Sequence, residues 1–411
     1  MELGEHGKAN FTWSMIGAVS ESALNVILLI VVNRLAGELM GGIFTFGYSH
    51  AQLMYNIGTL EVSPFHSTDV RQKYRFADYF SLRVLSCALM VLLSLAYVLW
   101  MDGDPLKKRI VLYLCLYKMT DAMADLFRSM YQQHDRIEFA GKLSTLRVVC
   151  VLVLFTASLL ATGNLEVASL VMLAVGVVTL LTYNLRIWRK FEDAVIRFRF
   201  SHVKEIAIAC FPLFVSVFVM LYISNAPKYA IDRYCSDLVQ NRYSILFMPA
   251  FFINLFCQFI QRPMLTPMAK MWNDGRVRDF RRNILLMMTI IFGTTLLGLG
   301  GAWLLGIPLL EWLYGTDLTG QRSVLMWVMV YGGVNAVNIF LYSMIAVTRR
   351  QQWLLYAYLI AAAVIFFLAP VLVQRMEMTG AILSSIIALG LLDIMLIGIL
   401  SRVLHKSGTA S

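Results

Sequence analysis

Apolar runs such as "IAIACFPLFVSVFVMLYIS", residues 206–224, recur along the whole chain. Each is long enough to cross a bilayer as a helix, which takes about 20 residues. Hydrophobic residues make up 59% of the 411 positions and charged residues 15%, with a mean hydropathy of +0.69. Soluble domains carry about 25% charged residues. A chain this poor in charge cannot build a water-facing surface around so many apolar blocks. The pattern predicts an all-α polytopic membrane protein with about twelve transmembrane helices. Their spans lie near 11–33, 40–62, 80–101, 109–130, 144–162, 166–185, 206–230, 243–261, 284–304, 323–346, 352–373 and 380–401. The longest gap, 186–205, is too short for a soluble domain.

Orientation follows from the loops, because lysine and arginine accumulate on the cytoplasmic side. With both termini cytoplasmic, 22 of the 35 lysines and arginines fall in inner segments and 9 in outer ones. The net charge of +10 then reflects topology and attraction to anionic lipid. It does not point to nucleic acid.

Several chemistries lack their signatures. There is no G-x-x-x-x-G-K-[ST] phosphate loop and no H-E-x-x-H zinc motif. "DGD" at 102–104 sits in a short outer turn before Pro105 and reads as turn chemistry. The six cysteines have no paired spacing, so neither a disulfide nor a metal site is expected. No catalytic residue and no cofactor is assigned. Every outer loop is short, which weakens a membrane-enzyme reading.

The loop "RIWRKFEDAVIRFRFSHVKE" divides the spans six and six. It predicts an N-terminal six-helix bundle over 1–200, with a basic, amphipathic, interfacial linker at about 186–205, and a C-terminal bundle over 206–411. Six spans per half give the halves the same orientation. Two such parallel bundles place a substrate site between them and transport by rocking. Pro212, Pro249 and Pro370 interrupt late spans and are candidates for bends or fixed kinks.

A charge at the centre of a membrane helix costs about 2.5–3.5 kcal/mol on insertion scales, so such residues face partners or a wet cavity. Asn225, Lys228 and Asp232 share one face of the seventh span, at i, i+3 and i+7, and read as a polar stripe facing a cavity. Lys118, Asp121, Asp125 and Arg128 share one face of the fourth, where a structural network and a substrate path are equally consistent with the spacing. Glu21 sits mid-way along the first span, a candidate cavity or cation-site residue, with Arg34 at its outer end. Asp393 and His50 are isolated polar residues that neighbouring helices would satisfy. Arg83 and Arg147 lie near inner ends, where long side chains reach the headgroups.

"NAPKYAIDRY" followed by "YSILFMPAFFINLFCQFIQRPMLTPMAKMW" resembles the polysaccharide-transporter, Wzx-type branch of the MOP flippase superfamily. "VNRLAGELMGGIFTFGYSHAQLMYNIG" and "STDVRQKYRFADYFSLR" are similar to the same branch. The resemblance runs the full length. It implies a flippase in the bacterial cytoplasmic membrane that moves polyprenyl-diphosphate-linked oligosaccharide for cell-surface polysaccharide, O-antigen among them. Under that implication Lys228, Arg233 and Arg34 would meet the diphosphate, and Asn225, Tyr229 and Asn254 the sugars. Asp232, Glu21, Lys118, Asp121, Asp125 and Arg128 become candidates for a coupling ion or for cavity charge. The implied partners are the lipid-linked oligosaccharide, membrane lipids, and a polysaccharide polymerase or glycosyltransferase. A cation-coupled drug or metabolite antiporter of the same superfamily is the alternative, and a glycan polymerase or ligase a more distant one.

Overall fold

The computed structural model describes residues 5–69, 73–101, 104–134, 136–184, 199–348 and 351–408. Every element among them is helical. The chain is a multi-pass membrane protein: among the described residues, eight helices are long and apolar enough to cross a membrane. Each of the twelve predicted spans maps onto a helix or one half of a broken helix, with overrunning ends where 40–62 passes the α-helix end at Thr59 and 166–185 passes the one at Thr179.

Chain contacts divide the protein into two units, one ending at Phe218 and the other starting at Val219. The division falls inside a helix. Most of the predicted interfacial linker lies outside the described residues. Its last residues, from Phe200, are already helical.

The first unit contains α1 (Glu5–Ala36), α2 (Glu38–Thr59), α3 (Val62–Thr68), α4 (Phe76–Trp100), α5 (Pro105–Gln133), α6 (Ile137–Thr162) and α7 (Leu165–Thr179). It also holds the first half of α8 (Phe200–Tyr234). A single residue joins α1 to α2. That residue is Gly37, with φ +86°, a left-handed value that glycine adopts without a Cβ clash. Asp104 caps α5 by accepting from the Leu106 N–H at 3.2 Å, and Pro105 opens the helix where no N–H is needed. Asp102 and Gly103 of the predicted turn lie outside the described residues.

α5 is the central helix of the unit. It packs against α2, α3, α4, α6 and α7. It is also the most charged of the membrane-depth helices, with Lys118, Asp121, Asp125 and Arg128 along its inner half. The two facts belong together. A helix surrounded by protein can carry charges that lipid would reject, provided its neighbours supply counter-charges.

The loop after α3 is pinned by Asp69, whose carboxylate accepts from the N–H groups of Lys73 (3.0 Å) and Tyr74 (3.2 Å) and from the Tyr79 hydroxyl (2.9 Å). Burial pushes this carboxyl up, but the three donors outweigh it and hold its pKa below the ordinary value. Tyr74 and Tyr79 then join Val62, Phe76, Phe127 and Tyr131 in a core that also takes Val203, Ile206 and Cys210 from α8. The start of α8 is thereby fixed to the first unit.

The second unit contains the rest of α8, then α9 (Asp237–Asn273), α10 (Val277–Gly301), α11 (Ile307–Tyr314), α12 (Arg322–Val347) and α13 (Gln351–Gly408). A π-helical segment, Ala302–Gly306, joins α10 to α11 in one 38-residue span. α12 packs against α9, α10 and α13. Pro212, Pro249 and Pro370 all lie inside continuous helices.

α13 carries the last two predicted spans, and its break is at Glu377, with φ +47° and ψ −123°. Beyond the break the backbone returns so closely that a Cβ on Gly380 would lie 2.0 Å from the Leu372 carbonyl oxygen. Glutamate is strained at that φ, at a cost of about 1 kcal/mol or more. Glu377→Gly is therefore expected to raise the thermal unfolding temperature in detergent, by the equivalent of about 1 kcal/mol. An unchanged or lower temperature would show that the glutamate side chain compensates its own strain.

Candidate functional site

The charges of α5 separate into two groups. Towards the helix middle, Asp121 receives Arg147 of α6 on Oδ1 (3.1 Å) and Lys118 on Oδ2 (3.3 Å). Arg147 also donates to the Thr120 hydroxyl at 2.6 Å. The Lys118 ammonium lies 4.7 Å from the Tyr48 ring centre and 5.6 Å from that of Tyr55, within cation–π range. This group is closed: each charge has an opposite charge and an aromatic or hydroxyl neighbour. A void of about 20 Å³ beside it, lined in part by Asp121, Arg128, Ser144 and Arg147, has room for one water.

One turn on, Asp125 bridges two guanidiniums. Arg83 of α4 meets it at 3.1 Å and Arg128 at 3.6 Å. Arg83 is fully buried and also donates to the Gly58 carbonyl (3.1 Å) and the Ser63 hydroxyl (3.0 Å). Ser63 is bonded in turn to the Asp125 carboxylate. Arg128 pairs with Glu21 of α1 and donates to Ser144 of α6 at 3.3 Å. The polar residues of four helices thus converge on Arg128 and Asp125.

They converge on a cavity of about 580 Å³. Glu21, Glu61, Asp125 and Arg128 supply its charges, and Tyr55 and Gln132 line it too. Hydroxyls come from Ser14, Thr59, Ser63, Ser67, Ser129 and Ser144. Glu61 reaches the wall through the turn between α2 and α3, and its Oε1 accepts from Asn56 Nδ2 at 3.1 Å.

The second unit carries a smaller buried group. Asn338 of α12 donates to Asp393 Oδ1 at 3.0 Å and accepts from the Tyr358 hydroxyl at 2.9 Å. Asp393 is satisfied by a neighbouring helix, as its isolation in the sequence predicts.

Of the residues assigned from the sequence, Glu21, Asp125 and Arg128 come together at the cavity. Lys118 and Asp121 belong to the closed group beside it. Asn225, Lys228, Tyr229, Asp232 and Arg233 lie on α8, and Asn254 on α9, all in the second unit. Asn225 and Asn254 each donate back to their own helix, to Leu221 and Ala250 carbonyls at 2.9 and 3.0 Å. Lys228 Nζ lies 5.9 Å from the Phe247 ring centre. Arg34 and Arg233 are exposed.

One expectation is corrected. Arg83 and Arg147 do not extend to headgroups. Both point into the bundle, where Asp125 and Asp121 neutralise them. Their signal in the sequence is that each stands alone in an apolar run while α5 carries carboxylates at the same depth.

No family model matches the chain, and no curated protein matches it. Solved structures do. An inward-facing multidrug resistance MATE family transporter of the MOP superfamily is 12% identical, with a TM-score of 0.71, over 97% of this chain and 99% of that one. The lipid II flippase MurJ in an inward closed conformation is also 12% identical, with a TM-score of 0.70, over 98% of this chain and 89% of that one. A MOP superfamily transporter from Pyrococcus furiosus, described as having a binding pocket of reverse polarity, is 15% identical with a TM-score of 0.59, over 99% of this chain and 97% of that one. At these identities the likeness establishes the fold: that of MOP superfamily transporters, exporters and flippases alike.

Proposed function

We propose that this chain is a flippase that moves a polyprenyl-diphosphate-linked oligosaccharide across the bacterial cytoplasmic membrane by alternating access. The observation that carries the reading is the match, along nearly the whole chain, to the fold of a lipid flippase. The neighbours found are transporters and flippases, which fits a protein without covalent chemistry. The cargo class comes from the resemblance of segments 225–234 and 243–272 and of the early segments to polysaccharide transporters.

The charges fit such a cargo. A diphosphate needs cations, and Lys228 and Arg233 of α8 and Arg34 of α1 supply them. Cations in those positions oppose a cationic drug. Hydrogen-bonding groups for sugars are available at Asn225, Tyr229 and Asn254. The coupling ion is assigned to Asp232 of α8; at Glu21, Asp121 and Asp125 an ion would have to displace an arginine. The proposed orientation puts both termini in the cytoplasm, where a glycosyltransferase would load the cargo, and a polysaccharide polymerase would take it up outside.

The second reading is a cation-coupled drug or metabolite antiporter, favoured by the equally high TM-score of the MATE transporter. Reconstitution separates the two. Purified protein in liposomes is expected to flip a fluorescent polyprenyl-diphosphate glycan, and Lys228→Ala to reduce flipping to background while inserting at the normal level. Wild-type flipping by Lys228→Ala would remove that lysine from the path. No flipping by folded wild-type protein, with or without an ion gradient, would turn the reading to the antiporter.

A further inference from the structure

The cavity of the first unit has a chemistry different from that of a diphosphate site. Three of the four charges on its wall, Glu21, Glu61 and Asp125, are carboxylates, and Arg128 is already paired with two of them. A diphosphate there would face repulsion from three sides. A free cation at Glu21 or Asp125 would have to displace Arg128. Taken with the group beside it, the region is neutral: Arg83, Lys118, Arg128 and Arg147 balance Glu21, Glu61, Asp121 and Asp125.

A neutral ligand rich in hydroxyls suits that wall. Carboxylates accept from sugar hydroxyls, a guanidinium and an amide donate to them, and serine and threonine do both. Tyr55 adds an aromatic ring, and rings of this kind bury apolar surface while offering a polar handle. The volume of about 580 Å³ falls within the range of small-ligand sites, about 300–1,000 Å³. That is space for one or two sugar rings.

Glu61 reaches the wall through a backbone turn in the left-handed region. Leu60 and Glu61, adjacent and neither of them glycine, both have left-handed backbones, at φ +47° and +50°. Strain of this sort costs about 1–3 kcal/mol per residue and persists where the surroundings impose it, often at ligand sites. Here it ends α2, starts α3 and leaves a carboxylate on the cavity, held by Asn56.

We infer that this cavity is a saccharide subsite: it takes one or two uncharged sugar rings of the cargo. The inference rests on the flippase reading for the identity of the cargo, and its test does not.

Full-length protein in lipid nanodiscs would be examined by saturation-transfer NMR with four neutral probes: N-acetylglucosamine, galactose, mannose and rhamnose. At least one is expected to bind, and sodium pyrophosphate and sodium chloride are expected not to displace it. Ser67→Trp fills the cavity from a partly exposed position. It is expected to weaken binding by about tenfold, the equivalent of about one hydrogen bond to a charged group. Glu61→Gln, which keeps the shape of the side chain, is expected to weaken it in the same direction. Binding by none of the four probes, displacement by pyrophosphate or sodium, or unaltered affinity in a folded Ser67→Trp variant would each overturn the inference. Liposome flipping, run in parallel, keeps the two readings apart. Sugar binding lost in Ser67→Trp, in a wild type that does not flip the glycan, upholds the subsite and rejects the flippase. Flipping by a wild type that binds none of the probes does the reverse.

Discussion

Asp121→Ala is expected to lower stability by about 3–5 kcal/mol, because removing one partner of a buried ion pair leaves the other charge uncompensated. Here it leaves two. The side chains of Lys118 and Arg147 are only 10% and 8% exposed, and Asp121 is the carboxylate to which both are bonded. Arg147 would keep Thr120, and Lys118 would keep its tyrosine rings. Neither set of contacts supplies negative charge. Thermal unfolding of purified protein in detergent would show the loss as a fall in the transition temperature. The informative companion is the triple variant Lys118→Met, Asp121→Leu, Arg147→Met. Replacing a whole buried ionic group with apolar side chains is often neutral or stabilising. The triple variant is therefore expected to unfold nearer the wild-type temperature than Asp121→Ala does. If it also flips cargo normally, the group is a structural lock. If it folds but fails to flip, the group belongs to the transport path after all.

That experiment bears on a question the sequence posed and could not decide. Lys118, Asp121, Asp125 and Arg128 fall on one face of α5 by spacing alone. Helical periodicity assigns a face, but it does not say which helix lies opposite. The split between a closed group and a cavity-lining group depends on Arg147, Arg83 and Glu21, which come from three other helices. Arg83 and Arg147 were misplaced for the same reason. Read along the chain, each sits near the end of an apolar run and could reach a headgroup. Read across the bundle, each faces an aspartate of the central helix. The spans were legible because the cost of exposing backbone and charge to lipid acts locally, on each block of about 20 residues. The cavity was not. Ser63, Ser129 and Ser144 are ordinary helix residues until α3, α5 and α6 bring them together. The break inside α13 was legible as a gap between two spans, whereas its strained Glu377 was not.

The α1–α6 contact that closes one side of the cavity makes a sharper demand on sequence than any charge. Gly141→Ala is expected to destabilise the protein at or above the top of the usual 1–3 kcal/mol range for overpacking. A Cβ at position 141 would lie 2.0 Å from the Trp13 carbonyl oxygen and 2.3 Å from its carbon. Both are backbone atoms of α1, so no rotamer change relieves the clash. The facing residue is Gly17, whose own Cβ would approach the Gly141 Cα to 3.0 Å. Two glycines back to back let the helix backbones touch, as small residues do between membrane helices. Forcing the helices apart would also stretch the bridge from Arg128 to Glu21, which sits one turn from Gly17 on α1. The control is Gly390→Ala in α13, where an added Cβ meets nothing within 4 Å. Alanine in a helix interior is favoured over glycine by about 0.5–1 kcal/mol, so this substitution is expected to be neutral or stabilising. The same chemical change is thus expected to act with opposite signs at the two positions. Similar unfolding temperatures for the two variants would mean that α1 can move away from α6 at little cost, and that the cavity wall between them is pliant rather than fixed.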